Sequence, residues 1–508
     1  MDKRVVLLML AVAAGYMLFL SRYEHACAGG ADSSGYLSLG RLLARGEVIA
    51  TERPVPGFSL PGPHGYAFCP LGFKPAPGGS GLAPAYTPGL PALLALGSVL
   101  AGSEHGADWV ILAHAGAALL LMFAFGRLLG LPAAGALFAT FLLAASPLTL
   151  MYSIQVMSDL PAMTWTLLSV VLVMASAGRP GMVLLAGAAF GESLLIRPTC
   201  ALVLPALVLY GLAGPGRGDG ARTWPSALAA AGPFLLGCAP FLAFYAWFAQ
   251  RAYGSPLSTG YGDAGYLFSW RNIGASLRIY ILYLPRLLTP LVFLLPLCAT
   301  SAALRKGARA MLLVPPLCFL GFYAFYSGTA LSWWSLRFIL PAAPMLVAGG
   351  TCAARDVWSG LLARRPGGSP RQSGRAVLGW AAAAFVVAFV GYAHRLNHSV
   401  PYMGSGRNDL EYRQAARALQ AIAPPNSVCL CMQTSGSVFY DTGLAIVRSD
   451  QLDRDFAERF FRWAAVSRTP VYAALFDFEK KQVLSSTPAG SWRAVAESPP
   501  VSIWRWDP

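Results

Sequence analysis

Apolar runs close to the ~20 residues needed to cross a bilayer recur along this chain, broken by short polar connections. In the first half they are Val5–Leu20, Trp109–Phe125, Pro132–Pro147, Pro161–Ala177, Met182–Ile196 and Thr199–Leu212. In the second half they are Ser226–Phe248, Ile279–Ala302, Met311–Phe325, Arg337–Cys352 and Val377–Ala393. Leu90–Ala101 is too short to span and predicts a helix lying at the membrane surface. Past His394 the pattern turns polar and alternates. Glu411–Ala423 and Asp450–Ser467 read as helices; Ser427–Met432, Ala445–Arg448, Val471–Phe476 and Val501–Trp506 read as strands. The predicted architecture is an all-α polytopic membrane body over 1–393, with about eleven transmembrane helices and an external loop 21–107. A small external α/β domain follows over 394–508.

Composition supports this reading. Hydrophobic residues make up 56% and charged residues 12%, and the mean hydropathy is +0.53, against roughly 25% charged in soluble domains. The net charge of +15 could suggest nucleic acid, but its placement argues against that partner. Basic residues gather at Lys3-Arg4, Arg127, Arg179, Arg217 to Arg222, Arg305 to Arg309 and Arg355 to Arg375, all in connections that one parity puts on the same side. The positive-inside rule makes that side cytoplasmic, so the N-terminus is internal and the C-terminus external. The expected location is a bacterial inner (plasma) membrane. Lys3-Arg4 and Ala26-Cys27-Ala28 also resemble a signal peptide, but the polar stretch with Arg22, Glu24 and His25 favours an uncleaved helix. Of nine cysteines, five lie in or beside apolar spans and read as small buried hydrophobes. Cys27 and Cys69 share the external loop, where a disulfide is open but unforced.

The polar residues that could carry chemistry sit at external span ends. Asp32, in Gly29-Gly30-Ala31-Asp32-Ser33-Ser34-Gly35-Tyr36-Leu37, stands where an N-cap of the following helix would stand. Asp159, in Ser158-Asp159-Leu160-Pro161, has the same two readings, helix cap or site carboxylate. Arg197 and Arg337 lie on the external side, where the charge bias predicts few arginines, although a boundary arginine can simply snorkel. Glu192 lies within an apolar run, with Arg197 a conceivable partner, and an ionisable residue there is a functional candidate by default. Lys74 is a further cation of the external loop.

Asp32 to Leu37 with Arg45-Gly46, Tyr86-Thr87-Pro88-Gly89, Ser146-Pro147 through Ser158-Asp159, Arg197-Pro198-Thr199 and Arg337-Phe338-Ile339-Leu340-Pro341 occur in that order. The set resembles the polyprenyl-phosphate-sugar glycosyltransferases of the GT-C class, among them the protein O-mannosyltransferases and lipid A aminoarabinose transferases. The resemblance covers roughly residues 1–355. It implies inverting transfer of a sugar from a polyprenyl-phosphate donor to an acceptor hydroxyl on a glycan, lipid or protein at the external face. It matches Asp32 to the family's loop-one catalytic aspartate. Many members carry Asp-Glu there, whereas Ser33 follows Asp32 here.

The residue chemistry is compatible with that activity. A hydroxyl is a weak nucleophile, so a carboxylate base is a natural need. The departing phosphate gathers negative charge that Arg197 or Arg337, with Lys74 a third candidate, could stabilise. Asp159 could orient the acceptor, and Asp32 and Asp159 are the carboxylates available to a divalent metal. The rival readings are a flippase or transporter of lipid-linked sugars, which Glu192 would suit, and a non-catalytic scaffold with an external binding domain. No internal symmetry of the transporter kind stands out in the sequence. The topology has a direct test. A reporter fused after Arg365 should score cytoplasmic and one after Pro508 external, and the same sidedness for both would refute the eleven-span arrangement.

Overall fold

The computed structural model describes every residue except 1–2, 56, 59–63, 80, 104–105, 214–223, 364–369, 400 and 488–489, and no side chains at 64, 224–230, 362–363 and 370–381. The basic connection Arg217 to Arg222 and the reporter position Arg365 therefore lie outside the described residues. The first half contains α1 (Lys3–Leu20), α2 (Gly30–Leu43), α3 (Gly89–Ala101), α4 (Gly106–Leu128), α5 (Ala133–Ala145), α6 (Pro147–Tyr152), α7 (Asp159–Ala175), α8 (Pro180–Ile196) and α9 (Leu204–Ala213). Then come α10 (Trp224–Tyr253), α11 (Ile273–Leu287), α12 (Lys306–Ala324), α13 (Ser327–Leu331), α14 (Ala343–Ala363) and α15 (Pro370–Ser399). Among the described residues, five segments are long and apolar enough to cross a membrane: α1, α4, residues 231–253 of α10, α12, and Trp333–Leu361, which runs through a 3-10 segment into α14. A sixth forms if residues 270–287, which include α11, and the 3-10 helix Pro290–Thr300 count as one span bent by 105°. The eleven-span reading counts in addition the shorter apolar helices α5, α7, α8 and α9, and α15.

Alternation along the strands builds the C-terminal part as expected. Helices α16 (Ser405–Ile422), α17 (Ser435–Asp441), α18 (Arg454–Ser467) and α19 (Asp477–Ser485) pack around a sheet. After a hairpin in the loop between α2 and α3, β1 (Phe73–Pro75) and β2 (Leu82–Pro84), the sheet strands are β3 (Val428–Cys431), β4 (Ala445–Arg448), β5 (Val471–Phe476), β6 (Ser491–Ser498) and β7 (Val501–Asp507). Their order is β4-β3-β5-β7-β6, parallel among the first three and antiparallel thereafter. The period of two sends Val428 and Leu430 to the face covered by Phe456, Phe460 and Phe461 of α18. Cys429 and Cys431 go to the opposite face, against Ala415 and Leu419 of α16 and Val438 of α17. All nine cysteines are free, Cys27 and Cys69 included.

The long loop after α2 is sewn into this part rather than lying beside it. Val55 and Ala67 belong to the same apolar cluster as the α18 phenylalanines, and the Phe58 ring sits 5.5 Å from Phe460 and 5.2 Å from Trp463. Arg53 donates to the carbonyls of Phe439 and Thr442 at 2.8 and 2.7 Å, answering acceptors that the C-terminal end of α17 leaves open. Arg413 on α16 donates to the Ala26 carbonyl.

Beside that contact lie two buried carboxyls. Asp409 on α16 is packed against Gly29 with one oxygen unpartnered, and burial, with Glu411 nearby, lifts its pKa to about 7. Glu24 is pushed up to about 9 by burial, then by Asp108, against the opposing pull of Arg413. Both folded values exceed the unfolded ones, so between the two values the folded state holds protons that the unfolded state has released. Stability is therefore full below the usual carboxyl range and is lost as pH rises through these values. The thermal midpoint should fall by a few degrees between about pH 5 and about pH 8, and Asp409→Asn should flatten that slope while raising the midpoint at the alkaline end. An unchanged slope in the variant would clear Asp409.

Candidate functional site

Two ion pairs meet at one end of the helices. Asp32 lies in the first turn of α2, where the helix dipole favours a carboxylate. It is not the cap that the sequence suggests. The helix begins two residues earlier, at Gly30, with Gly29 as N-cap and no side-chain cap bond. The Asp32 carboxylate instead lies 2.8 Å from Nη2 of Arg337, with both side chains between a fifth and a quarter exposed. Arg337 projects from the 3-10 segment Trp333–Ala342 that leads into α14.

Asp159 is the first residue of α7, and its carboxylate is wholly buried 3.0 Å from Nη2 of Arg197. Pro198 explains where that guanidinium stands. The residue before a proline is driven out of helical geometry, and Arg197 is extended at φ −149°, ψ 108°, ending α8 and turning toward α7. Arg197 Nε also donates to Ser158 Oγ at 3.2 Å, and Ser158 receives the Tyr36 hydroxyl at 2.9 Å. Arg197 Nη1 is buried with no hydrogen-bond partner, and neither Asp159 oxygen accepts a well-directed hydrogen bond.

Aromatic rings frame both pairs. The guanidinium carbons of Arg197 and Arg337 lie 5.0 and 4.9 Å from the Phe338 ring centre, and Tyr323 stacks on Phe338 at 5.2 Å. Tyr86 stands beside Asp32 and packs on Tyr36 at 4.9 Å, with Tyr261 beyond it at 6.3 Å. This end of the helices thus carries two cations, two carboxylates and a wall of tyrosines.

The sequence candidates divide. Asp32, Arg337, Asp159 and Arg197 are brought together. Glu192 is not joined to Arg197; it is buried on α8 with Oε1 unpartnered. Lys74 stands back from the pairs, its Nζ 4.4 Å over the Tyr253 ring and 3.4 Å from the Thr259 carbonyl. Tyr253 reaches the Tyr86 carbonyl at 3.4 Å, so Lys74 approaches Asp32 only through intervening residues.

The C-terminal part bears directly on the start of α2. Ser435 Oγ accepts from the Leu71 amide at 3.0 Å, and Gly436 is so close to Ser34 that a methyl there would collide with the hydroxyl.

This geometry has relatives. Residues 85–244 match the sequence model of the dolichyl-phosphate-mannose-protein mannosyltransferase family. No curated protein matches the sequence significantly. Among solved structures the chain is similar to ArnT from Cupriavidus metallidurans bound to undecaprenyl phosphate, with TM-score 0.61 and 16% identity over 99% of this chain and 98% of that one. It is also similar to the oligosaccharyltransferase of Archaeoglobus fulgidus tethered with an acceptor peptide, with TM-score 0.59 and 12% identity over 100% of this chain and 74% of that one. The fold is that of the GT-C glycosyltransferases. A third GT-C structure, the arabinofuranosyltransferase AftD from Mycobacteria, gives TM-score 0.55 and 13% identity over 99% of this chain and 40% of that one.

Within this GT-C fold the residues present do not fit a divalent metal. Among the described residues no group of three His, Cys, Asp or Glu is gathered. Asp32 and Asp159 each face a guanidinium at contact distance, so a cation beside either would meet fixed positive charge. Ser33, at the place where a second carboxylate would stand, donates to the Val156 carbonyl at 3.1 Å.

The two arginines differ in what their loss leaves behind. Arg197→Ala strands a fully buried carboxylate, a change of the kind that costs ~3–5 kcal/mol, whereas a partly exposed pair is worth ~0–1 kcal/mol. Thermal unfolding of the detergent-solubilised chain should therefore show a much larger drop for Arg197→Ala than for Arg337→Ala. Equal drops would mean that the Asp159 site rehydrates.

Proposed function

We propose that this chain is a membrane glycosyltransferase that moves a sugar from a polyprenyl-phosphate donor to an acceptor hydroxyl at the external face, with inversion. The observation that carries this reading is the pair of guanidiniums flanking Phe338, one with a buried donor unused, beside a partly open carboxylate. The similar ArnT structure holds undecaprenyl phosphate. A similar archaeal oligosaccharyltransferase structure holds dolichol-phosphate with an inhibitory peptide.

In the proposed reaction the donor phosphate is held by Arg197 and Arg337, whose forks suit phosphate oxygens. Arg337 then turns from Asp32 toward the phosphate. Asp32, released, accepts the proton of the acceptor hydroxyl as the new bond forms at the anomeric carbon. The bond from that carbon to the phosphate oxygen breaks on the opposite side, which inverts the centre, and polyprenyl phosphate leaves with the bonding electrons. Asp159 and Ser158 hold Arg197 in place. The tyrosine wall of Tyr36, Tyr86 and Tyr261 lines the place where the sugar would lie. Lys74 is a supporting cation whose pKa burial lowers. Glu192 takes no part in this scheme.

The same reading makes 1–393 the catalytic membrane body and 394–508 an external domain, with the N-terminus cytoplasmic and the C-terminus periplasmic, in a bacterial inner membrane.

Asp32→Asn separates base from scaffold. The amide keeps the size of the side chain and cannot accept the proton, and general-base catalysis is worth roughly 10²–10⁴-fold. The variant should insert, retain polyprenyl-phosphate binding and lose sugar transfer by that factor. Transfer at the wild-type rate would refute the role given to Asp32.

A further inference from the structure

Two histidines that the proposed reaction does not use face one another on the last turns of α15. His394 and His398 are four residues apart, the spacing that brings side chains together on one face of a helix. Both are exposed. Their Nε2 atoms stand 3.3 Å apart, and the ring planes cross at 87° with centroids 4.9 Å apart. Two neutral imidazoles at this distance share at most one N–H···N bond, one ring donating and the other accepting. Protonating both would press two positive charges together.

The same separation is the bite of a tetrahedral metal ion. Imidazole nitrogens bind zinc at ~2.0–2.1 Å, and two such bonds at the tetrahedral angle hold their nitrogens roughly 3.3–3.4 Å apart. A square-planar ion at the same bond length would need them closer, at roughly 2.8–2.9 Å. The donors are nitrogen only. The sequence has no acidic residue between Asp356 and Asp409, and among the described residues no third His, Cys, Asp or Glu completes a cluster. Calcium and magnesium, which seek several oxygens, find little here, whereas a borderline ion that accepts imidazole finds half of its shell. The nearby cations stand aside. Arg395 follows His394 by one position and so lies ~100° further round the helix. Arg286 is the charged neighbour of Tyr392, two positions before His394 and so on nearly the opposite side of α15.

The turn that carries the pair also fastens the start of the C-terminal part. The Ala393 carbonyl accepts the Tyr402 hydroxyl at 2.9 Å, and Asn397 Oδ1, between the two histidines, accepts the Met403 amide at 3.0 Å. Tyr402 and Met403 pack in turn on the large apolar cluster of the helical body.

We propose that His394 and His398 form a zinc site at the end of α15, with two imidazole nitrogens and water in the remaining positions. Because both ligands meet only while this turn is helical, binding clamps the turn and the join to α16. The site is separate from Asp32 and Arg337, takes no part in sugar transfer and stands whether or not the transferase reading holds.

Calorimetric titration of the full chain with zinc chloride, in detergent and without a histidine tag, tests this. One ion per chain should bind. His394→Gln and His398→Gln should each weaken binding roughly tenfold or more, and the metal-free variants should melt like the wild type, since glutamine suits a helix. His25→Gln, at a partly buried histidine outside α15, should leave binding unchanged. Zinc should slow deuterium exchange of the amides in the last turn of α15 in the wild type and in neither α15 variant. An excess of magnesium should not displace it. Absence of binding, or equal binding by the wild type and both α15 variants, which would put the ion on thiols, overturns the site. A loss in His25→Gln equal to that in the α15 variants overturns the two-histidine ligation. Binding without slowed exchange overturns the clamp, and displacement by magnesium overturns the nitrogen donor set.

Discussion

Charge burial at the end of the spans where the two ion pairs meet is the constraint on which the rest depends. A guanidinium in an apolar body costs several kcal/mol unless it is paired, and the pairing must be geometrically good. Arg197 and Arg337 come from different helices and each takes its carboxylate from yet another. Satisfying both pairs therefore fixes α2, α7, the end of α8 and the segment before α14 relative to one another. Both guanidiniums share Phe338 as an aromatic neighbour, at 5.0 and 4.9 Å from its ring centre. Their mutual repulsion is confined to a place where two carboxylates answer it.

Small residues let the other parts close around this array. The middle of α2, Ser33 to Gly40, is buried throughout, which a helix of large side chains could not achieve under so tight a cover. Its glycines and serines admit Gly72 and Tyr86 on one side and α17 on the other. The C-terminal part is consequently a roof whose underside touches the turn that carries Asp32. A rigid contact of that kind supports a carboxylate that has to stay within hydrogen-bond reach of its partners.

Much of this was legible from residue patterns, and the failures have physical reasons. Long apolar runs and the strands Ala445–Arg448 and Val471–Phe476 appear where hydropathy and alternation put them. Strand β6 escaped because it is an exposed edge strand with no apolar run, and α17 because seven residues are too few to show a helical period. The four charged residues of the site were recognisable one by one, as ionisable groups at membrane boundaries. Their pairing was not. Asp32 and Arg337 are brought together only by tertiary packing. Arg197 pairs with Asp159 instead of Glu192 because Pro198 turns its side chain away from its own helix. Ser158 and the tyrosines carried a weaker signal still, since the same aromatics would serve an ordinary interfacial belt.

The unequal exposure of the two pairs gives them different capacities. Asp159 has no solvent contact, so its charge is committed to Arg197. Asp32 can exchange partners, and charge conservation shows what such an exchange accomplishes in the proposed reaction. The donor is a phosphodiester with one negative charge, and the product phosphate carries a second. That second charge is the one Asp32 loses when it takes the acceptor proton. Negative charge thus passes from the carboxylate to the leaving phosphate, both within range of Arg337, while the total at the site stays constant. A cation shared between the place charge leaves and the place it arrives stabilises the transition without having to be recruited during it. The Asp32–Arg337 contact is then the resting form of that arrangement, and the buried Asp159–Arg197 pair is what keeps its geometry from relaxing.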